Sequence, residues 1–143
     1  MKKNNPTIVL VRPQLPENIG MTARVMDNFG LSKLYIVNPR DGWPSQIAEN
    51  SAKHGKNIIK KAKIFNSLNE ALAKFNLVIA TTNRKRFLTK KTYNHFSDLK
   101  KKIIYFKNTA ILFGPENSGL SNQDLRLAND IFTIKTAKRN KSL

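Results

Sequence analysis

Unbroken apolar runs alternate along this chain with segments whose apolar residues recur at helical spacing. Thr7-Ile8-Val9-Leu10-Val11, closed by Arg12-Pro13, has the continuous hydrophobicity of a strand buried on both faces. From Asn18 to Phe29, the positions Ile19, Ala23, Met26 and Phe29 share one helical face, and Gly30 follows as a C-cap. Lys33-Leu34-Tyr35-Ile36-Val37 is a second strand, ended by Asn38-Pro39. A polar, tryptophan-bearing stretch from Arg40 to Ser45 leads to one or two short helices reaching Lys61. Lys63-Ile64-Phe65 reads as a short strand, and Ser67 with Glu70 as a capping box opening a helix. Leu77 to Thr81, Ala110 to Phe113 and Ile131 to Ile134 complete the strands. Such strands, separated by helices, predict an α/β fold with a mostly parallel sheet and helices on both faces. No repeat or linker interrupts it, so residues 1–143 are expected to form a single domain.

Two segments depart from this rhythm. Asn83 to Lys107 is long, strongly basic and interleaved with Phe87, Tyr93, His95 and Phe96, which predicts a long loop, functional or disordered. Leu112-Phe113-Gly114-Pro115-Glu116-Asn117-Ser118-Gly119-Leu120 ends an apolar strand in a loop with two glycines, a proline and a carboxylate, just before a helix start at Ser121 to Asp124. Glycine lets a ligand approach bare backbone, and loops at the carboxyl ends of parallel strands are where open α/β sheets bind ligands.

Charge narrows the partner. The 143 residues carry a formal net charge of +17, a field that attracts polyanions, nucleic acid foremost. Only seven of the 26 cations are arginine, and abundant lysine, asparagine and isoleucine also fit the codon bias of an AT-rich genome. The absence of cysteine excludes disulfides, thiolate metal sites and cysteine nucleophiles. No apolar span approaches the ~20 residues of a membrane helix, and the basic N-terminus lacks a signal-peptide core, so a cytoplasmic location is expected. Walker, dinucleotide and nucleophile-elbow motifs are lacking, and His54 and His95 have no metal-ligand spacing.

Candidate chemistry then falls on three strand ends. Pro16-Glu17-Asn18-Ile19-Gly20-Met21-Thr22-Ala23-Arg24 begins a helix after the first strand, and Arg24 sits among apolar residues where a guanidinium needs a partner, Glu17 or Asp27 if the pair is structural. Ala80-Thr81-Thr82-Asn83-Arg84 runs from a strand into hydroxylated residues, and the glycine loop brings Glu116.

The order P-E-N-I-G-x-x-A-R, L-x-x-V-N-P, A-T-T-x-R and F-G-P-E-x-S-G-L resembles the SpoU/TrmH family of SPOUT-class RNA methyltransferases. The run from Val11 through Arg12, Gln14 and Asn18 to Met21, with Val37-Asn38-Pro39-Arg40, is most similar to the branch that 2′-O-methylates a tRNA anticodon-loop ribose. The resemblance implies an α/β-knot fold, a homodimer without membrane association, and S-adenosylmethionine bound bent within a trefoil knot. It implies cofactor contacts from Thr81, Thr82, Leu112, Gly114, Glu116, Gly119, Leu120 and Ile134, with Arg24 catalytic and Asn18 its helper. The basic segment would cradle RNA through Arg84, Lys85, Arg86, Lys90 and Lys91.

The last residues diverge from the family pattern. Lys135 stands where the family carries proline, and Ser142-Leu143 stops before the asparagine that opens its C-terminal helix. The expectation is a domain truncated at that end, with an incomplete knot and a cofactor pocket open on one side. The alternatives are a catalytically inactive RNA-binding remnant of the same fold or a methyltransferase acting on rRNA.

Overall fold

A computed structural model describes residues 4–83 and 90–134 of the chain. Its elements are β1 (Thr7–Val11), α1 (Pro16–Asn28), β2 (Leu34–Val37), α2 (Gln46–Ala52), a single 3-10 turn (Lys53–Gly55), α3 (Lys56–Lys61), β3 (Lys63–Phe65), α4 (Leu68–Leu72), β4 (Leu77–Thr82), β5 (Lys91–Tyr93), α5 (Phe96–Tyr105), β6 (Thr109–Phe113), α6 (Asn122–Arg126) and β7 (Asp130–Thr133). The seven strands form one sheet in the order β3-β2-β1-β6-β4-β7-β5, and every described pairing is parallel.

The apolar runs explain the middle of this sheet. All of β1 and β4 is buried, because helices cover both faces and leave no polar side to alternate. On one face Val9, Val11, Val78, Ala80 and Leu112 pack with Leu68 and Ala71 of α4 and Leu125 of α6. On the other, Ile8, Leu10, Leu34 and Ile36 pack with Ile19, Ala23 and Met26 of α1 and with α2 and α3. Farther along that face, Leu99 and Ile103 of α5 cover Leu77 and Ile79.

The segment from Asn83 to Lys107 is not the loop expected: it contains β5 and α5. β5 is the edge strand, held through its backbone to β7, so Lys91-Thr92-Tyr93 needs no apolar run. In α5 the buried pair Leu99 and Ile103 is a single i, i+4 contact, too narrow a stripe to stand out among lysines. A buried carboxylate on β7 anchors it, with Lys102 donating to Asp130 at 2.5 Å. The Ser67 cap is half formed, its hydroxyl accepting from the Glu70 N–H, whereas Ser121 and Asp124 complete a reciprocal capping box on α6.

Candidate functional site

β1 and β6 are neighbours, although four strands separate their positions in the chain, so their carboxyl-end loops lie side by side. The chain progresses outward from β1 to β2 and β3, then crosses to the other side, which makes this a topological switch point. Arg12, the residue after β1, adopts φ +48°, an unusual left-handed conformation outside glycine, while its N–H still donates to Val37 O at 2.7 Å. Its guanidinium donates to both oxygens of Asp124, at 2.5 and 3.2 Å. Asp124 is buried and also accepts from the Ser121 N–H at 2.8 Å, so one carboxylate joins the end of β1 to the start of α6. Burial pushes its pKa up, but the hydrogen bond from Arg12 and those from Ser121 outweigh it and hold the carboxyl below its ordinary value.

A second carboxylate performs a parallel task. Leu15 is the N-cap of α1 and offers no side-chain acceptor, which leaves the first N–H groups of the helix in need of partners. Glu116, from the β6 loop, fixes the residues that lead into the helix instead, accepting from the N–H of Gln14 at 2.8 Å, from that of Leu15 at 2.7 Å and from the Asn18 side-chain amide at 3.1 Å. In return the Asn117 N–H donates to the Gln14 side chain at 3.1 Å. Partial burial raises the Glu116 pKa, yet the hydrogen bonds from Leu15, Gln14 and Asn18 win, and the group is held below its usual range.

The loop carrying Glu116 folds back on itself. The Gly119 N–H donates to Pro115 O at 2.8 Å, and Gly119 takes φ +69°. A Cβ on Gly114 would lie 2.3 Å from the Leu120 nitrogen, so only glycine allows this closure. At Gly119 an added Cβ would meet nothing within 4 Å, leaving bare backbone beside open space. Leu112 and Leu120 are fully buried, Ile134 is half-buried, and the Thr81 hydroxyl donates to Leu112 O at 2.7 Å. Thr82 O, in turn, accepts from the Ile134 N–H at 3.2 Å.

Asn18, Gly114 and Glu116 also line a cavity of about 530 Å³ whose other walls are apolar, chiefly Leu10, Phe113, Met21 and Val25. Thr81, Thr82, Leu112, Gly119, Leu120 and Ile134 lie outside that cavity, so the expected cofactor residues divide between two parts of the carboxyl edge. Arg24 is exposed on α1 and forms no ion pair with Glu17 or Asp27; Asp27 instead lies 3.5 Å from His54. Of the basic residues expected to meet RNA, Lys90 donates to Arg126 O at 3.3 Å and Lys91 sits 5.0 Å over the Tyr93 ring. Arg84, Lys85 and Arg86 lie outside the described residues, as does the C-terminal stretch on which a knot would depend. Both histidines are exposed, and the described residues hold no group of three or more side chains suited to a metal. Arg12, Gln14 and Asp124 had no assigned role in the sequence reading. The first two fall in the Val11 to Met21 run and the third in the α6 start, but their pairing spans more than 100 residues.

Residues 5–143 match the model of the SpoU rRNA Methylase family. The tRNA (cytidine-2′-O-)-methyltransferase TrmJ of Methanocaldococcus jannaschii is 33% identical over 142 residues, which cover 93% of this chain and 59% of that protein. The crystal structure of TrmJ from Z. mobilis ZM4 matches with a TM-score of 0.91 and 42% identity, over 97% of this chain and 62% of that one. The SpoU methyltransferase AviRb of Streptomyces viridochromogenes, solved with the cofactor AdoMet, shares the fold at a TM-score of 0.71 and 19% identity, over 100% of this chain and 55% of that one. The chain spans about half the length of the curated relatives it matches.

Proposed function

The chain belongs to the SpoU rRNA methylase family, and on that premise we propose that it transfers a methyl group from S-adenosylmethionine to a ribose 2′-hydroxyl of RNA, tRNA in the first instance and its anticodon loop in particular. The observation that carries this reading is the clamp at the carboxyl edge, where Glu116 holds Asn18 and the start of α1 against the glycine loop. That clamp sets the helix from which Arg24 projects.

The residues present suit the cofactor. Adenine needs apolar walls and backbone hydrogen-bonding groups, and Gly119 offers bare backbone next to Leu120, with Thr81, Thr82, Leu112, Gly114 and Ile134 in or just after β4, β6 and β7. When bound, the cofactor supplies an electrophilic methyl on a sulfonium that leaves as a neutral thioether. The ribose oxygen would take that methyl with the neutral thioether as leaving group, and the hydroxyl proton would pass to solvent. Arg24 presents a planar fork of donors and no acceptor, so its part is to orient the hydroxyl and stabilise the developing negative charge. Its exposed guanidinium has no ion-pair partner among the described residues, which keeps its forked donors available.

Lys90 and Lys91, with Arg84, Lys85 and Arg86, would hold the RNA backbone. No helix among the described residues is long and apolar enough to cross a membrane, and the cytoplasm, where tRNA is found, is the proposed place of action. A homodimer is supported by α1, whose outer face exposes Met21, Val25 and Phe29 beside the apolar cavity. The test is methyl transfer from labelled S-adenosylmethionine to tRNA by the purified chain, compared with Arg24→Lys. Arg24→Lys should lower kcat by about a hundredfold or more, because the charge remains but the fork is lost. Near-full turnover would sink the positioning role, and RNA binding without cofactor binding or transfer would favour a non-catalytic RNA-binding protein.

A further inference from the structure

The amino edge of the sheet, opposite the clamp, carries a feature that methyl transfer leaves unused. A cavity of about 440 Å³ opens there between the starts of β1, β2 and β3 and the end of α4, and its charged lining residues are Lys33, Lys61, Lys63 and Lys74. Four cations and no carboxylate line one concavity. All four side chains are exposed, and none forms a salt bridge with a described carboxylate. Lys63 and Lys33 enter neighbouring strands, about 4.8 Å apart in the sheet. Half-buried Tyr35 and Phe75 form an aromatic wall, their rings 5.5 Å apart, and the Lys63 ammonium lies 5.8 Å from the centre of the Tyr35 ring.

Gathering like charges in one concavity is unfavourable in the free protein and becomes favourable when an anion enters. Lysine, as a compact point charge, meets phosphate without demanding the bidentate geometry of arginine. The edge lies roughly 15 Å from the clamp, the length of a five-residue strand such as β1. A ligand the size of one nucleotide cannot touch both edges, whereas a folded RNA can.

We propose that this lysine-lined cavity is a second RNA-backbone site, engaging phosphates of the substrate remote from the nucleotide held at the carboxyl edge. The proposal rests on the RNA-methylating reading above and adds to it a requirement for RNA beyond the modified loop. An isolated stem-loop would reach the carboxyl edge alone, while full-length tRNA would reach both.

The experiment measures binding of unfractionated tRNA and of an isolated anticodon stem-loop against salt concentration, for the wild-type chain and for Lys33→Gln/Lys61→Gln/Lys74→Gln. Each lost phosphate contact removes about 0.7–0.9 from the slope of log affinity on log salt. The triple variant should therefore lose about two from its tRNA slope and bind the stem-loop as wild type does. Lys33→Gln alone should lose just under one, and arginine at all three positions should restore the wild-type slope. An unchanged tRNA slope with stem-loop binding intact overturns this site and leaves the proposed function standing. Equal losses for tRNA and stem-loop also overturn it, since they would reflect overall charge. A wild-type chain that binds neither RNA overturns both readings.

Discussion

Glu116 shows how one side chain acquires a role that only its partners define. In the sequence it is a carboxylate in a glycine loop, and the resemblance assigns it to the cofactor; in the fold its oxygens accept from Gln14, Leu15 and the Asn18 amide and tie the entry of α1 to the glycine loop. The carboxyl chemistry and the loop glycines were readable because each follows from local composition. The partners were not, since they lie about 100 residues away and belong to backbone as much as to side chain. Glu116 and Asp124 both have native pKa values below their ordinary ones, so on acidification the unfolded chain takes up protons first. Their stabilisation is complete above the ordinary carboxylate range and drains away as pH falls below about 5 toward the native values. Denaturant melts of the wild-type chain from pH 7 to pH 3 should show this loss. Glu116→Gln should cost about 1–3 kcal/mol at pH 7 and flatten the acid limb, leaving the part due to Asp124. An acid limb as steep as that of the wild type would show that the clamp contributes nothing.

At the scale of elements, α1 was foreseen from its spacing, but its two faces have different fates. Ile19, Ala23 and Met26 enter the core as their period requires, whereas Phe29, placed on the same stripe by sequence, is 78% exposed beyond the helix end. Gly20 decides how closely α1 meets α2: a Cβ there would lie 2.3 Å from Ala48 O and 2.5 Å from the Ser51 Cβ. Gly20→Ala would gain about 1 kcal/mol of helix propensity, yet the obstructing oxygen is backbone and cannot rotate aside. Separating the helices costs about 1–3 kcal/mol, so the variant should be net destabilised, with a melting temperature lower by about 5 °C in a thermal scan. A variant as stable as wild type would mean that α2 shifts freely. β5 and α5 show the opposite limit, because an edge strand of Lys91-Thr92-Tyr93 and a helix burying two side chains carry almost no periodic signal.

At the scale of the molecule, the exposed apolar face of α1, with Met21 56% and Val25 54% exposed beside an apolar cavity, argues for a second copy as cover. Sedimentation of the chain at micromolar concentration should give a dimer that Met21→Asp/Val25→Asp converts to a monomer; a monomeric wild-type chain would remove that expectation. The parallel α/β class, the positions of most strands and the family itself were all legible in the chain, because unbroken apolar runs and ordered motifs are properties of neighbouring residues. The strand order was not, and with it came the insertion of β6 beside β1, the union of Arg12 with Asp124 and of Glu116 with the head of α1, and the lysines collected at the amino edge. These depend on which strands become neighbours, and hydrogen bonding between parallel strands carries no side-chain signature that would name the partner in advance.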